Sequence, residues 1–152
     1  MESNFNEFLT FSSSEKVGTA SAAVTPRLPS RNVLRLHQGK EHTRARFRML
    51  RRLPDNHDND GAKAANRDSI DSAIAFIDAH SFAHPILATL DDEGFAVIEI
   101  ESADRNTFAD ITFFDGDQVE CYVRIANAES VMCRGHWQDA KISDLFEKFG
   151  VR

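Results

Sequence analysis

"FAVIEIESADRNTFADITFFDGDQVECYVRIA", residues Phe95–Ala126, is the stretch on which the fold of this chain turns. Ala109, Ile111 and Phe113, then Val119, Cys121, Val123 and Ile125, recur at every second position. A period of two sends successive side chains to opposite faces, so these runs read as strands with one face buried. "DGDQ" at Asp115–Gln118 lies between two alternating runs and predicts a hairpin, and "DDEG" at Asp91–Gly94 predicts another turn. "PILATL" before this stretch and "SVMCRG" after it extend the pattern to an antiparallel meander of four to five strands. The same alternation turns Phe108, Phe114 and Tyr122 to the opposite face, where three neighbouring aromatics form a patch large enough to be covered, by the chain's own N-terminal region in the preferred reading or by a partner or second copy.

Helical text flanks the meander. In "DSIDSAIAFIDAH" the residues Ile70, Ala73, Ile74 and Ile77 share one helical face, Asp68 or Ser69 is placed to cap, and Pro85 bars continuation. In "DAKISDLFEKFGVR" an apolar stripe of Ile142, Leu145, Phe146 and Phe149 ends at Gly150, a C-cap position. Helix, antiparallel meander, helix predicts an α+β domain of two layers over residues 68–152, with both helices on one face of the sheet.

A largely irregular arm is expected ahead of it. Residues 1–30 are rich in Ser, Thr, Ala and Asn without periodicity and read as a disordered leader, with Phe5, Phe8 and Phe11 spaced as one short anchor. Residues 31–67 read as an Arg-rich arm followed by a polar linker. Within the arm, Arg44, Arg46 and Arg48 alternate with Ala45, Phe47 and Met49 as in a strand, while Phe47 and Leu50 suit a helix. Periodicity leaves both open.

The 152 residues carry a net charge of −6, divided unevenly. Residues 1–67 hold 12 Lys/Arg against 7 Asp/Glu, and residues 68–152 hold 6 against 17. Such asymmetry implies that the two ends meet different partners, or each other. Apolar residues at 41% and charged residues at 28% are ordinary for a globular chain. No apolar run approaches the roughly 20 residues of a membrane span. The opening "MESNFNEFLTFSSSEK" has acids and no basic run before an apolar core, and there are two cysteines, so a cytoplasmic protein with reduced thiols is expected.

Chemistry-bearing clusters are sparse. His80 and His84 are four apart but Pro85 interrupts their helix, and only one of these two could complete a four-ligand set with Cys121, Cys133 and His136, so no metal or cofactor is expected. Cys133, His136 and Asp139 make a conceivable nucleophile, base and orienter, the basis of an enzymatic alternative. The carboxylates at the turns lack the alternating ligand spacing of an EF-hand. Nine Lys/Arg lie between Arg27 and Arg52 with one acid, Glu41. Arg44, Arg46, Arg48, Arg51 and Arg52 are therefore candidate phosphate contacts, with Phe47 able to stack on a base. An attached acidic domain competes for the same arginines at high effective concentration, so a strap on acidic protein surface is the preferred reading.

"AIAFIDAHSFAHPILATLDDEGFAVIEIES", "FADITFFDGDQVECYVRI" and "ISDLFEKFGV" together resemble a group of small bacterial α+β proteins of unassigned activity, found near toxin–antitoxin or defence genes. The resemblance covers roughly residues 69–151, and this chain departs from it at "SADRN". It implies the fold and a bacterial origin. The expected function is a non-enzymatic protein-binding module of the antitoxin, immunity or operon-accessory kind. Its partner, encoded by an adjacent gene, would meet Phe108, Phe114 and Tyr122, steered by Asp91, Asp92 and Glu93.

Overall fold

The structure, a computed structural model, describes residues 31–152, with side chains from residue 39 onward. The leader with Phe5, Phe8 and Phe11 lies outside the described residues. The elements are α1 (Arg31–Leu50), α2 (Arg67–Ala79), β1 (Ile86–Leu90), β2 (Ala96–Glu101), β3 (Thr107–Phe113), a 3-10 turn (Asp115–Asp117), β4 (Gln118–Ile125), β5 (Val131–His136) and α3 (Ala140–Lys148).

All five strands form one antiparallel sheet in the order β1-β2-β3-β4-β5, the predicted meander. Its register stacks Ala88, Ile98, Ile111, Cys121 and Cys133 in one row and Ile86, Ile100, Ala109, Val123 and Val131 in the next, all on one face. The helices cover that face. Phe76 of α2 is fully buried and packs edge-on or tilted against Phe82, Phe113, Trp137 and Phe146, at ring-centroid distances of 5.0–6.1 Å. The stripe on α3 is buried as its spacing predicts: Ile142, Leu145, Phe146 and Phe149 all join the core. Gly150 follows with φ +84°, and a Cβ there would stand 2.7 Å from that of Ala83, so only glycine fits both the left-handed backbone and the space.

Two polar anchors tie α2 to the sheet. Its cap is Asn66, not Asp68 or Ser69: the Asn66 carboxamide oxygen accepts from Ser69 N at 2.9 Å. Ser69 is free for another task because the helix starts one turn earlier than the apolar stripe indicates. Its hydroxyl, fully buried, donates to Phe113 O at 2.6 Å and accepts from Ala96 N at 2.7 Å, joining the helix to β2 and β3 at once.

The Arg-rich segment settles its ambiguity as a helix. The compact unit runs from Arg31 to Arg152, so residues 31–67, drawn in the sequence as an arm and linker outside a 68–152 domain, belong with that domain. Phe47 of α1 is fully buried in the core. Thr43 and Arg46, on the same side of the helix, meet the outer edge of β1. Arg46 Nε donates to Ala88 O at 2.6 Å, and Thr43 Oγ1 lies 2.7 Å from Gly39 O and 3.1 Å from Ile86 O. Those carbonyls point away from β2, so α1 closes this edge by side-chain donors instead of another strand.

The polar linker is tied down as well. Lys63 N donates to Asp92 O at 2.9 Å and Asn66 N to Gly94 O at 2.8 Å. Gly94 has φ +85°, and a Cβ there would stand 2.2 Å from Ala64 O.

Two outcomes follow from this packing. Phe47→Ala should lower the unfolding free energy by about 3–5 kcal/mol, the range for emptying a buried aromatic site, as read by urea denaturation. A segment lying on the domain as a loose strap would leave stability unchanged. Gly94→Ala should lower it by more than about 1 kcal/mol, because the backbone is left-handed and the linker already occupies the space.

Candidate functional site: the helix-free face of the sheet

The helices take one face of the sheet, and among the described residues no helix or strand lies on the other. Its central row, read across the register, is Leu87, Glu99, Asp110, Tyr122 and Met132. On one side stand Thr89, Val97, Thr112, Glu120 and Arg134, and on the other Glu101, Phe108 and Arg124. The acids Glu99, Glu101 and Asp110 belong to β2 and β3, whereas Arg124 and Arg134 belong to β4 and β5. The face therefore has an acidic half and a mixed half.

Phe108, Phe114 and Tyr122 point to this face, as alternation predicts, but each is half-buried by local contacts. The Arg124 guanidinium lies 5.7 Å from the Phe108 ring centroid, and that of Arg134 lies 4.9 Å from Phe114. Phe95 meets Phe114 edge-on at 4.9 Å, and Tyr122 Oη is 3.0 Å from Ser130 Oγ. Cation–π capping shields part of the Phe108 and Phe114 rings while leaving a charge at the surface. The large apolar side chains that are most open here are Leu87 at 45% and Met132 at 68% exposure.

Asp110, which strand periodicity alone does not single out, is the electrostatic centre. It sits between Glu99 and Tyr122 in the row, and its Oδ1 is shut off from solvent with no hydrogen-bond partner. Burial, with the nearby negative charge of Glu99 adding to it, raises its pKa to about 6. Beside it a groove of about 450 Å³ is lined by Leu87, Glu99, Glu101, Arg105 and Phe108 among others. Arg105 and Glu101 pair loosely across its rim at 3.8 Å.

The acidic turn has structural duties. Asp91 Oδ1 accepts from Phe95 N at 2.8 Å, Asp92 receives Lys63 N through its carbonyl, and Glu93 forms an ion pair with Lys63. Asp92 and Glu93 remain exposed. Of the basic residues, Arg44 pairs with Asp78, Arg51 grips Asp71 through two hydrogen bonds of 2.6 and 3.0 Å, and Arg46 holds Ala88 O. Arg48 and Arg52 are exposed and make no ion pair among the described residues. Much of the basic stripe thus spends its charge inside the molecule.

The Cys/His grouping does not converge. Cys133 shares the helix-side face with Cys121, while His136, three residues on, belongs to the opposite face. Asp139 Oδ2 accepts from His136 N at 3.2 Å, a turn contact that leaves the imidazole unoriented by it. Burial pushes the Cys121 thiol well above its usual range. His80 Nδ1 lies 2.9 Å from Phe76 O and its ring packs on Phe76 and Trp137. Among the described residues no three His, Cys, Asp or Glu side chains are grouped to hold a metal ion, and no helix is long and apolar enough to cross a membrane.

Asp110 generates a pH dependence with a definite sign. Its folded pKa lies above the ordinary 3.8, so its contribution to stability is full below about pH 4 and is lost as pH rises through about 6. Solvent still reaches part of the carboxylate, and screening reduces the effect to about 1 kcal/mol. Asp110→Asn should therefore gain about that much stability at pH 7 and almost none at pH 4, as read from paired urea titrations.

Comparison of the chain with protein-family models, curated proteins and solved structures finds no match.

Proposed function

We propose that this protein is a non-enzymatic protein-binding module whose helix-free sheet face receives a basic, apolar-flanked segment of a partner protein. The observation that carries this reading is the pairing of a face that no described helix or strand covers with an acidic centre that lacks a donor. Asp110 has one oxygen shut away from water and no hydrogen-bond partner, and Glu99 beside it has the same charge. A cation placed at the open side of the carboxylate offsets the negative charge of Asp110 and Glu99 together, and burial of Leu87, Phe108 and the Met132 side chain supplies apolar area around it. The Glu99, Glu101 and Asp110 carboxylates on this face favour the approach of such a partner. An antitoxin, immunity or operon-accessory role, as the resemblance implies, is one setting for such a module.

The test is a heteronuclear NMR titration of the full chain with a peptide alternating Lys and Val, against a control alternating Glu and Val. The expected shifts centre on Leu87, Glu99, Phe108, Asp110 and Tyr122, for the Lys peptide alone. They should weaken at pH 5, where Asp110 is largely protonated, and in Asp110→Asn. Equal response to the Glu peptide, or shifts confined to α1, would remove the reading.

A further inference from the structure

The two edges of the sheet are treated differently. At β1 the outward carbonyls of Ile86 and Ala88 are met by Thr43 and Arg46. At β5 the ladder runs through odd-numbered residues: Trp137 N donates to Asp117 O at 3.2 Å, and alternation places Gly135, Cys133 and Val131 in the hydrogen-bonded positions toward β4. The N–H and C=O groups of Met132 and Arg134 therefore face away from the sheet. Exposed apolar side chains flank this edge on both faces, Val131 at 46% and Met132 at 68%. The strand holds no proline and no inward charge, and its one arginine, Arg134, lies on the helix-free face.

We propose that a second copy of the chain pairs antiparallel with β5 about a two-fold axis at Cys133, joining two five-stranded sheets into one of ten strands. The edge fits a copy of itself at this register. Met132 exchanges both backbone hydrogen bonds with Arg134 of the second copy, and Arg134 with its Met132, so all the outward groups of these two residues are satisfied. On the outer face a thioether then lies along an arginine stem. On the helix-side face the branched Val131 lies opposite Gly135 of the second copy, which has no side chain and whose space is bounded by Ile142 and Asp139. Sliding the axis to Arg134 sets two guanidinium groups directly opposite each other, a destabilising pair. Sliding it to Met132 pairs Arg134 with Ser130, outside the strand. Closure of the β1 edge by α1 ends growth at two copies.

The register also sets the two Cys133 residues as a non-hydrogen-bonded pair, with Cα atoms about 4.5 Å apart, within reach of a disulfide. That gives a direct test on the full chain. Sedimentation at rising concentration should show a discrete monomer–dimer equilibrium. Treatment with diamide, which accepts the two electrons and two protons of two thiols, should then yield a Cys133–Cys133 cross-linked dimer identified by peptide mapping. Met132→Lys places a lysine opposite Arg134 twice in the two-fold assembly. It should weaken association about tenfold and suppress the cross-link, leaving the circular dichroism spectrum and thermal midpoint of the monomer unchanged. A chain that stays monomeric at every concentration overturns the proposal. So does a dimer that survives Met132→Lys without the Cys133 link, which would place the second copy elsewhere, or growth into open-ended polymers.

Discussion

The arrangement depends on the way α1 closes the first edge of the sheet. A five-stranded meander has two rows of unpaired backbone groups at its margins, and each must meet water, a side chain or another strand. Here Arg46 donates to the Ala88 carbonyl and the Thr43 hydroxyl shares its proton between Gly39 O and Ile86 O, while Phe47, next to Arg46, enters the core. One turn of helix thus provides edge closure and core filling together. Arg44–Asp78 and Arg51–Asp71 add surface ion pairs that fix the helix against α2. Exposed pairs of this kind contribute little individually, so the register of α1 comes chiefly from Phe47 and the two edge donors.

That closure accounts for the placement of everything else. With α1 and α2 adjacent and α3 over β5, the described helices fill one sheet face and leave the other to the strands' own side chains. The open face collects side chains that no helix has to accommodate: the acids of β2 and β3, the capped aromatics and the arginines of β4 and β5. Ionised Asp110 beside Glu99 costs stability near neutral pH, and nothing in the packing of the described residues requires a carboxylate there. A destabilising acid on a face that no described helix covers is what the binding reading explains.

The strands, their turns and α3 were legible in the sequence because alternation and the Ile142–Phe149 stripe are signals internal to one element. The outward direction of Phe108, Phe114 and Tyr122 followed from the same alternation. The shielding of Phe108 and Phe114 did not, since Arg124 and Arg134 come to them only through strand pairing. Asp110 was missed for a related reason: its partner in repulsion, Glu99, is 11 residues away in sequence and adjacent only in the register. The helix in residues 31–50 was ambiguous because Phe47 and the arginines satisfy both periodicities, and tertiary burial of Phe47 decided between them. The opposite facing of Cys133 and His136 was available from strand parity once "SVMCRG" was read as a strand.

Native-state hydrogen exchange on the full chain tests the central claim most directly. If α1 is part of the cooperative unit, the amides of its last two turns, around Phe47, exchange through the same opening as those of β2 and β3, with matching free energies and denaturant dependence. Exchange of those amides at nearly unprotected rates, with the sheet still protected, would show α1 to be a detachable strap and would contradict the account.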